Sequence, residues 1–207
     1  MTLIKICGMT NIDDALEAVS LGVDALGFIF APSPRRIDDA ATRDIVRRLP
    51  PFTWKVGVFV NEELKKVRRI AEECGLDALQ LHGQEPPEYC RQIPLPVVKA
   101  IGVQNIESLK EMDRYPFASI LLDAVSIDRA GGTGKTFCWE TALEARKKRN
   151  FILSGGLNPR NVYQAIEKLR PIGVDVCSGV EKILGKKDRS KMMAFVKEVR
   201  RADASTG

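Results

Sequence analysis

Two side chains able to move protons stand just past short apolar runs. Cys7 follows Leu3–Ile6, and Asp123 follows Ser119–Leu122. A thiolate accepts a proton and a carboxylic acid donates one, the two halves of general acid–base work. Other polar groups share that placement. Ser33-Pro34-Arg35-Arg36 comes after Ala25–Phe30, His82-Gly83 after Ala78–Leu81, and Ser154-Gly155-Gly156 after Phe151–Leu153. Asp175-Val176-Cys177-Ser178-Gly179 overlaps and follows the last run, Val174–Val176. Singly, each has a plainer explanation. Cys7 could be a small buried apolar residue, His82 a structural histidine, Asp123 a turn cap, and the glycines tight turns. Their convergence on one end of successive segments is what points to a site.

Gly155-Gly156 precedes Asn158-Pro159, a helix-start signal, and Ser178-Gly179 precedes a further short segment. Small residues there expose backbone N–H groups, and a helix N-terminus adds a dipole that favours an anion. In barrels of alternating strands and helices, phosphate commonly sits at the loops after strands seven and eight. A phosphorylated small-molecule substrate is therefore expected.

The elements that would position these groups are legible as alternation. The runs Leu3–Ile6, Ala25–Phe30, Lys55–Val60, Ala78–Leu81, Val97–Ile101, Ser119–Leu122, Phe151–Leu153 and Val174–Val176 are predominantly apolar rather than alternating in and out. That is the pattern of parallel strands covered on both faces. Between them lie helical periods: Ile12, Ala15, Leu16 and Val19; Val162, Ala165, Ile166 and Leu169; Met192, Phe195, Val196 and Val199. Asn61, Asn158 and Asp188 are candidate caps, with Pro159 at a first helical position. Eight strands alternating with helices predict a (β/α)8 TIM barrel, α/β in class, as one domain over residues 1–207. An open doubly wound sheet is the alternative, because alternation alone does not prove closure. The small, polar end from Ala202 to Gly207 reads as a frayed tail.

Bulk properties narrow the class. Lys and Arg exceed Asp and Glu by 5 in 207 residues, but the positive groups are scattered over helix faces, so no nucleic-acid partner is expected. No apolar run approaches the length of a membrane span, so no membrane partner is expected either. The 5 cysteines form no CxxC pair and the chain has 1 histidine, which gives no metal-site pattern. A reduced, cytoplasmic protein is the consistent expectation. Monomer and homodimer both stay open.

Read in order, several motifs resemble the phosphoribosylanthranilate isomerase family. They are Lys5-Ile6-Cys7-Gly8, Gly27-Phe28 with Ser33-Pro34-Arg35, Val56-Gly57-Val58-Phe59 and Gln80-Leu81-His82-Gly83 in the first half. The second half supplies Leu121-Leu122-Asp123, Gly131-Gly132-Thr133-Gly134-Lys135, Leu153 to Asn158, and Asp175 to Glu181. The resemblance runs from about Ile4 to Asp188. It implies a (β/α)8 barrel performing an Amadori rearrangement in tryptophan biosynthesis with neither metal nor cofactor. It implies Cys7 as general base, Asp123 as general acid, and Arg35 on the anthranilate carboxylate, with the adjoining Arg36 an alternative. His82 would line or orient the site, and Asp175 would lie near the substrate. The phosphate would sit on backbone amides around Gly155, Gly156, Ser178 and Gly179. Cys177 departs from the family pattern, in which many members carry Ser.

The demands on acid and base are opposed, since a free Asp is ionised and a free Cys protonated near neutrality. Rival readings are a histidine-pathway or bifunctional isomerase on the same fold, a non-catalytic phosphate-binding barrel, and a subunit whose interface matters more than its pocket. The first of these would place an aspartate where Cys7 stands and would favour a second glycine-rich phosphate loop in the first half.

Overall fold

The structure of the protein, a computed structural model, describes residues 1–124 and 139–206. The Gly131-Gly132-Thr133-Gly134 stretch and Cys138 lie outside the described residues. Eight parallel strands close into a barrel: β1 (Leu3–Cys7), β2 (Ala25–Ile29), β3 (Trp54–Phe59), β4 (Ala78–Leu81), β5 (Val97–Val103), β6 (Ser119–Ala124), β7 (Ile152–Ser154) and β8 (Gly173–Val176). Closure is explicit in the β8–β1 ladder, where Leu3 pairs with Gly173 and Ile6 with Val176. The expected barrel is thus present, and the open sheet is excluded.

Helices α1 (Ile12–Ser20), α2 (Asp39–Val46), α3 (Leu64–Cys74) and α4 (Pro87–Arg91) follow the first four strands. A 3₁₀ helix (Ile106–Arg114) follows β5, and α5 (Trp139–Lys148), α6 (Val162–Leu169) and α7 (Arg189–Thr206) complete the ring. Their apolar stripes pack on the barrel, burying Val162, Ala165, Ile166 and Leu169 from α6 and Met192, Phe195 and Val199 from α7. Val196 is only partly buried against that core. α1 is rotated from the expected face: Ala15 and Ala18 are buried while Leu16 is exposed. The rotation brings Asp14 inward, where its carboxylate accepts from Lys187 N at 2.8 Å.

Three local expectations are corrected. Asn158 organises a turn rather than capping α6: its carbonyl takes Asn161 N and Val162 N, and its side chain takes Arg160 N at 2.8 Å. The helix therefore starts at Val162, beyond Pro159. Asn61 has a left-handed φ of 50° and ties two loops together, accepting from Gln84 N, while Glu63 precedes the first turn of α3. Ala202 to Thr206 are not a frayed tail, since α7 runs through Thr206 with Ala202 buried. Asp188 does cap α7, accepting from Lys191 N at 3.0 Å. A small hairpin that the apolar pattern does not announce, β9 (Glu181–Ile183) with β10 (Lys186–Lys187), lies between β8 and α7. Among the described residues, no helix is long and apolar enough to cross a membrane.

Candidate active site

The strand ends carry a continuous arc of polar side chains. Register explains why. Lys5 pairs with Asp175, Cys7 with Gly27, and Asp123 with Gly102 on one side and Ser154 on the other. Residues two apart on a strand share a face, so Lys5 and Cys7 of β1 face the same side.

At one end of the arc, Gln80 Nε2 lies 3.1 Å from His82 Nδ1, and His82 Nε2 lies 3.0 Å from Asp123 Oδ2. With the amide N–H donating to Nδ1, the ring donates from Nε2 to the carboxylate. The Asp123 hydrogen bond raises the His82 pKa above its ordinary value, burial opposes this, and the negative charge of Asp175 adds to the rise. Among the described residues, Gln80 Oε1 is the buried side-chain polar atom left without a partner.

Midway, Ser154 Oγ donates to Asp175 Oδ2 at 3.4 Å, and Lys5 Nζ donates to Asp175 Oδ1 at 2.8 Å. Burial alone would lower the Lys5 pKa, but Asp175 more than offsets it and holds the ammonium charged. That buried cation sits beside Cys7. A Cβ on Gly27 would meet Cys7 Sγ at 2.6 Å and Lys5 Nζ at 3.1 Å, so both groups crowd the space above that glycine.

Cys7 is 5% exposed, and its interaction with the neighbouring Cys177 thiol, together with burial, pushes its pKa well above the usual thiol value; Lys5 pulls the other way. Cys177 is moved down to about 7, first by its interaction with Cys7, then against burial by the positive charges of Lys187 and Arg35. Lys187 is fully buried at its side chain and lies 3.8 Å from Cys177 Sγ and 3.1 Å from Glu181 Oε1. Glu181 in turn grips Arg35 with two bonds of 2.7 Å, from Nε and from Nη2. Arg35 runs so close over Gly8 that a Cβ there would meet its Cδ at 2.9 Å, while Arg36 is exposed.

The glycine loops lie at the ends of β7 and β8. Gly155 and Gly156 have φ of 91° and 66°, a consecutive left-handed pair that side-chain-bearing residues rarely adopt. Gly179 is pressed against the carbonyl of Leu157, so the two loops touch. Ser178 is exposed beside it.

Of the residues the sequence singles out, Cys7, Arg35, His82, Asp123 and Asp175 all belong to this arc, and Gly155, Gly156, Ser178 and Gly179 form the adjoining loops. Sequence reasoning passed over Lys5, Gln80, Glu181 and Lys187. Lys5 and Gln80 carry a usable signal, a polar residue inside an otherwise apolar strand. Glu181 and Lys187 do not, because the hairpin that presents them is too short to show a period.

Fold and rim together define a (β/α)8 barrel of the enzyme type, with side chains able to give and take protons gathered at its strand ends. The family model for N-(5′-phosphoribosyl)anthranilate isomerase matches residues 4–198. The chain belongs to this family and is an isomerase of tryptophan biosynthesis. It is 50% identical over 204 residues to the N-(5′-phosphoribosyl)anthranilate isomerase of Desulforudis audaxviator, covering 98% of this chain and 100% of that one. Its fold matches the crystal structure of phosphoribosyl anthranilate isomerase from Thermotoga maritima with a TM-score of 0.90 at 47% identity, covering 97% of this chain and 100% of that one. A second solved structure, at TM-score 0.89 and 45% identity, covers 97% of this chain and 100% of the other; it is phosphoribosyl anthranilate isomerase in complex with reduced 1-(o-carboxyphenylamino)-1-deoxyribulose 5-phosphate.

Proposed function

We propose that Cys7 and Asp123 are the base and acid by which this chain converts N-(5′-phosphoribosyl)anthranilate into 1-(2-carboxyphenylamino)-1-deoxyribulose 5-phosphate. Asp123 protonates the furanose ring oxygen, and the ring opens to an iminium. Cys7 takes the proton from C2′, which the iminium has made acidic, after losing its own proton, a loss that Lys5 favours and that burial and Cys177 oppose. The enolamine so formed tautomerises to the ketone. Each group contributes about 10²–10⁴-fold if it acts as general acid or base.

The observation that carries this reading is the arc itself. His82 orients the Asp123 carboxyl, and the Lys5 ammonium favours the charged form of Cys7. Asp175 keeps Lys5 charged and aimed. The substrate phosphate rests on backbone amides of Gly155, Gly156, Ser178 and Gly179. Arg35 meets the anthranilate carboxylate with the guanidinium edge that Glu181 leaves open, a geometry suited to a planar fork. No step calls on a metal or cofactor, and the functional unit is a monomer or a homodimer.

The test is conversion of freshly generated substrate, followed by loss of anthranilate-type fluorescence in buffer with chelator, beside Cys7→Ser and Asp123→Asn. Fast loss in the parent and a fall of at least about 10²-fold in each variant are expected. An active parent with an equally active Cys7→Ser or Asp123→Asn would remove the acid–base assignment.

A further inference from the structure

Cys7 ends β1, and Cys177 immediately follows the end of its parallel neighbour β8. The ladder pairs Lys5 with Asp175 and Ile6 with Val176 and ends there, so Cys7 and Cys177 are the residues that follow its last rung on either side. Adjacent strands lie about 4.8 Å apart, inside the roughly 4.4–6.8 Å that a disulfide spans between Cα atoms. Cys177 Sγ lies 3.0 Å from where a Cβ of Gly8, the residue after Cys7, would stand. Their surroundings differ. Cys7 is buried over Gly27, whereas Cys177 is partly exposed, with Lys187 Nζ 3.8 Å from its sulfur and Arg35 and Gly8 against it. The charged groups facing the pair are Lys5, Asp175, Arg35, Glu181 and Lys187.

We propose that Cys7 and Cys177 form an oxidative modification site at which hydroperoxides make a reversible disulfide, Cys177 reacting first and Cys7 resolving. The Cys177 thiolate attacks one peroxide oxygen, the O–O bond breaks, and the departing hydroxide takes a proton and leaves as water. This gives a sulfenic acid at Cys177. The Cys7 sulfur then attacks that sulfur, the S–O bond breaks, and the second hydroxide leaves as water after taking the Cys7 proton. Two thiols and one hydrogen peroxide become one disulfide and two waters, with two electrons passing from sulfur to oxygen. Oxidant-sensing cysteines combine thiolate character, access and a resolving neighbour, and all three meet here. The other described thiols lack them: Cys74 is buried and pushed up to about 11 by that burial, and Cys90 is buried and raised for the same reason.

The disulfide occupies Cys7, so its effect on turnover rests on the functional reading above; the modification does not. The full-length protein is treated with hydrogen peroxide, quenched by alkylation in denaturant, digested and mapped by mass spectrometry, with activity followed in parallel. The expected result is a peptide pair linking Cys7 to Cys177, loss of turnover, and recovery of both with dithiothreitol. In Cys7→Ser, dimedone traps a sulfenic acid at Cys177. In Cys177→Ser the link is absent, and peroxide inactivates about 10-fold more slowly because the reactive thiolate is gone. Free Cys7 and Cys177 after treatment, or a link through other cysteines, overturns the proposal. So does Cys177→Ser inactivating at the parent's rate. A link formed in a chain with no isomerase turnover keeps the modification and removes the functional reading; turnover with no link does the reverse.

Discussion

Gly27 shows how a residue without a side chain sets the chemistry. Its φ is not in the left-handed region, so no backbone strain requires glycine there. What requires it is Cys7 Sγ, 2.6 Å from where a Cβ would stand, with Lys5 Nζ just behind. Gly27→Ala should push the thiol aside and part it from the lysine. A displacement of about 1 Å at a reacting group costs on the order of 10²-fold, so kcat should fall by about that much while the melting temperature moves only a few degrees. Unchanged kcat would mean that Cys7 has slack. His82 makes a second residue-scale case. Its pKa is raised in the folded protein by Asp123. A raised folded value means that the pair's stabilisation is complete below the unfolded histidine value of about 6.5 and fades as pH climbs through the folded one. Thermal melts of parent and His82→Gln should therefore diverge most near pH 6 and converge as pH rises through the folded value. A gap that stays constant would show that the imidazolium charge adds nothing. As His82 gains its second proton, Nδ1 becomes a donor, and the Gln80 amide can turn end for end to offer the now unpartnered Oε1. The sequence exposes His82 and Asp123 as candidates but not this relay, because Gln80 sits two residues before His82 on the same strand face and only the folded barrel gives that spacing a meaning.

At the scale of elements, the loop after β4 is held by one carboxylate. Glu85 accepts from Asn61 N at 2.7 Å, from Gly83 N, and from Lys99 Nζ at 2.8 Å, with the Glu85 and Lys99 side chains 2% and 3% exposed. Burial works to raise the Glu85 pKa, but Lys99 and the backbone N–H groups hold it below the ordinary carboxylate range. Strand β5 thus fixes the loop that follows His82, through Lys99. Glu85→Ala leaves a buried ammonium and two N–H groups without their partner, which costs about 3–5 kcal/mol when one half of a buried pair is removed. Urea unfolding should read that loss, and less than about 1 kcal/mol would mean that water repairs the site. The paired variant Glu85→Leu, Lys99→Met should recover only part of it, since the N–H groups of Asn61 and Gly83 remain unanswered. Apolar runs made the strands readable, yet Lys99 and Glu85 interrupt or flank those runs without a period of their own. The same blindness hid the β9–β10 hairpin, in which Lys187 pairs with Glu181 and Glu181 ties the sequence-distant Arg35 to the rim.

For the whole molecule, closure of the barrel joins the chain's two ends, and that join is the part least visible in the sequence. Eight apolar segments make the strands countable, and the resemblance of ordered motifs supplies the acid, the base and the phosphate loops. The end from Ala202 onward is small and polar, so composition alone assigns it no work. In the fold, Thr2 N donates to both Asp203 carboxylate oxygens at 2.9 and 3.0 Å, and Thr2 Oγ1 donates at 2.7 Å. Arg200 reinforces the junction, reaching Thr2 O at 2.7 Å and Asp203 at 3.3 Å. These contacts stand at the entry to β1, the strand that carries Lys5 and Cys7 and closes the barrel on β8. Asp203→Ala should therefore destabilise the chain by about 2 kcal/mol, the scale of hydrogen bonds to a charged group, where a frayed tail would show none. Burial works to raise the Asp203 pKa, but Thr2 and Arg200 lower it below its ordinary value. A depressed folded value gives stability that is present above the unfolded carboxylate range and is lost as pH falls through the folded one. The difference between parent and Asp203→Ala in urea midpoint should accordingly be full at neutral pH and shrink below about pH 4. A difference that is absent at neutral pH would return the last turn of α7 to the role of an idle tail, and closure would then rest on the strand ladder and the core alone.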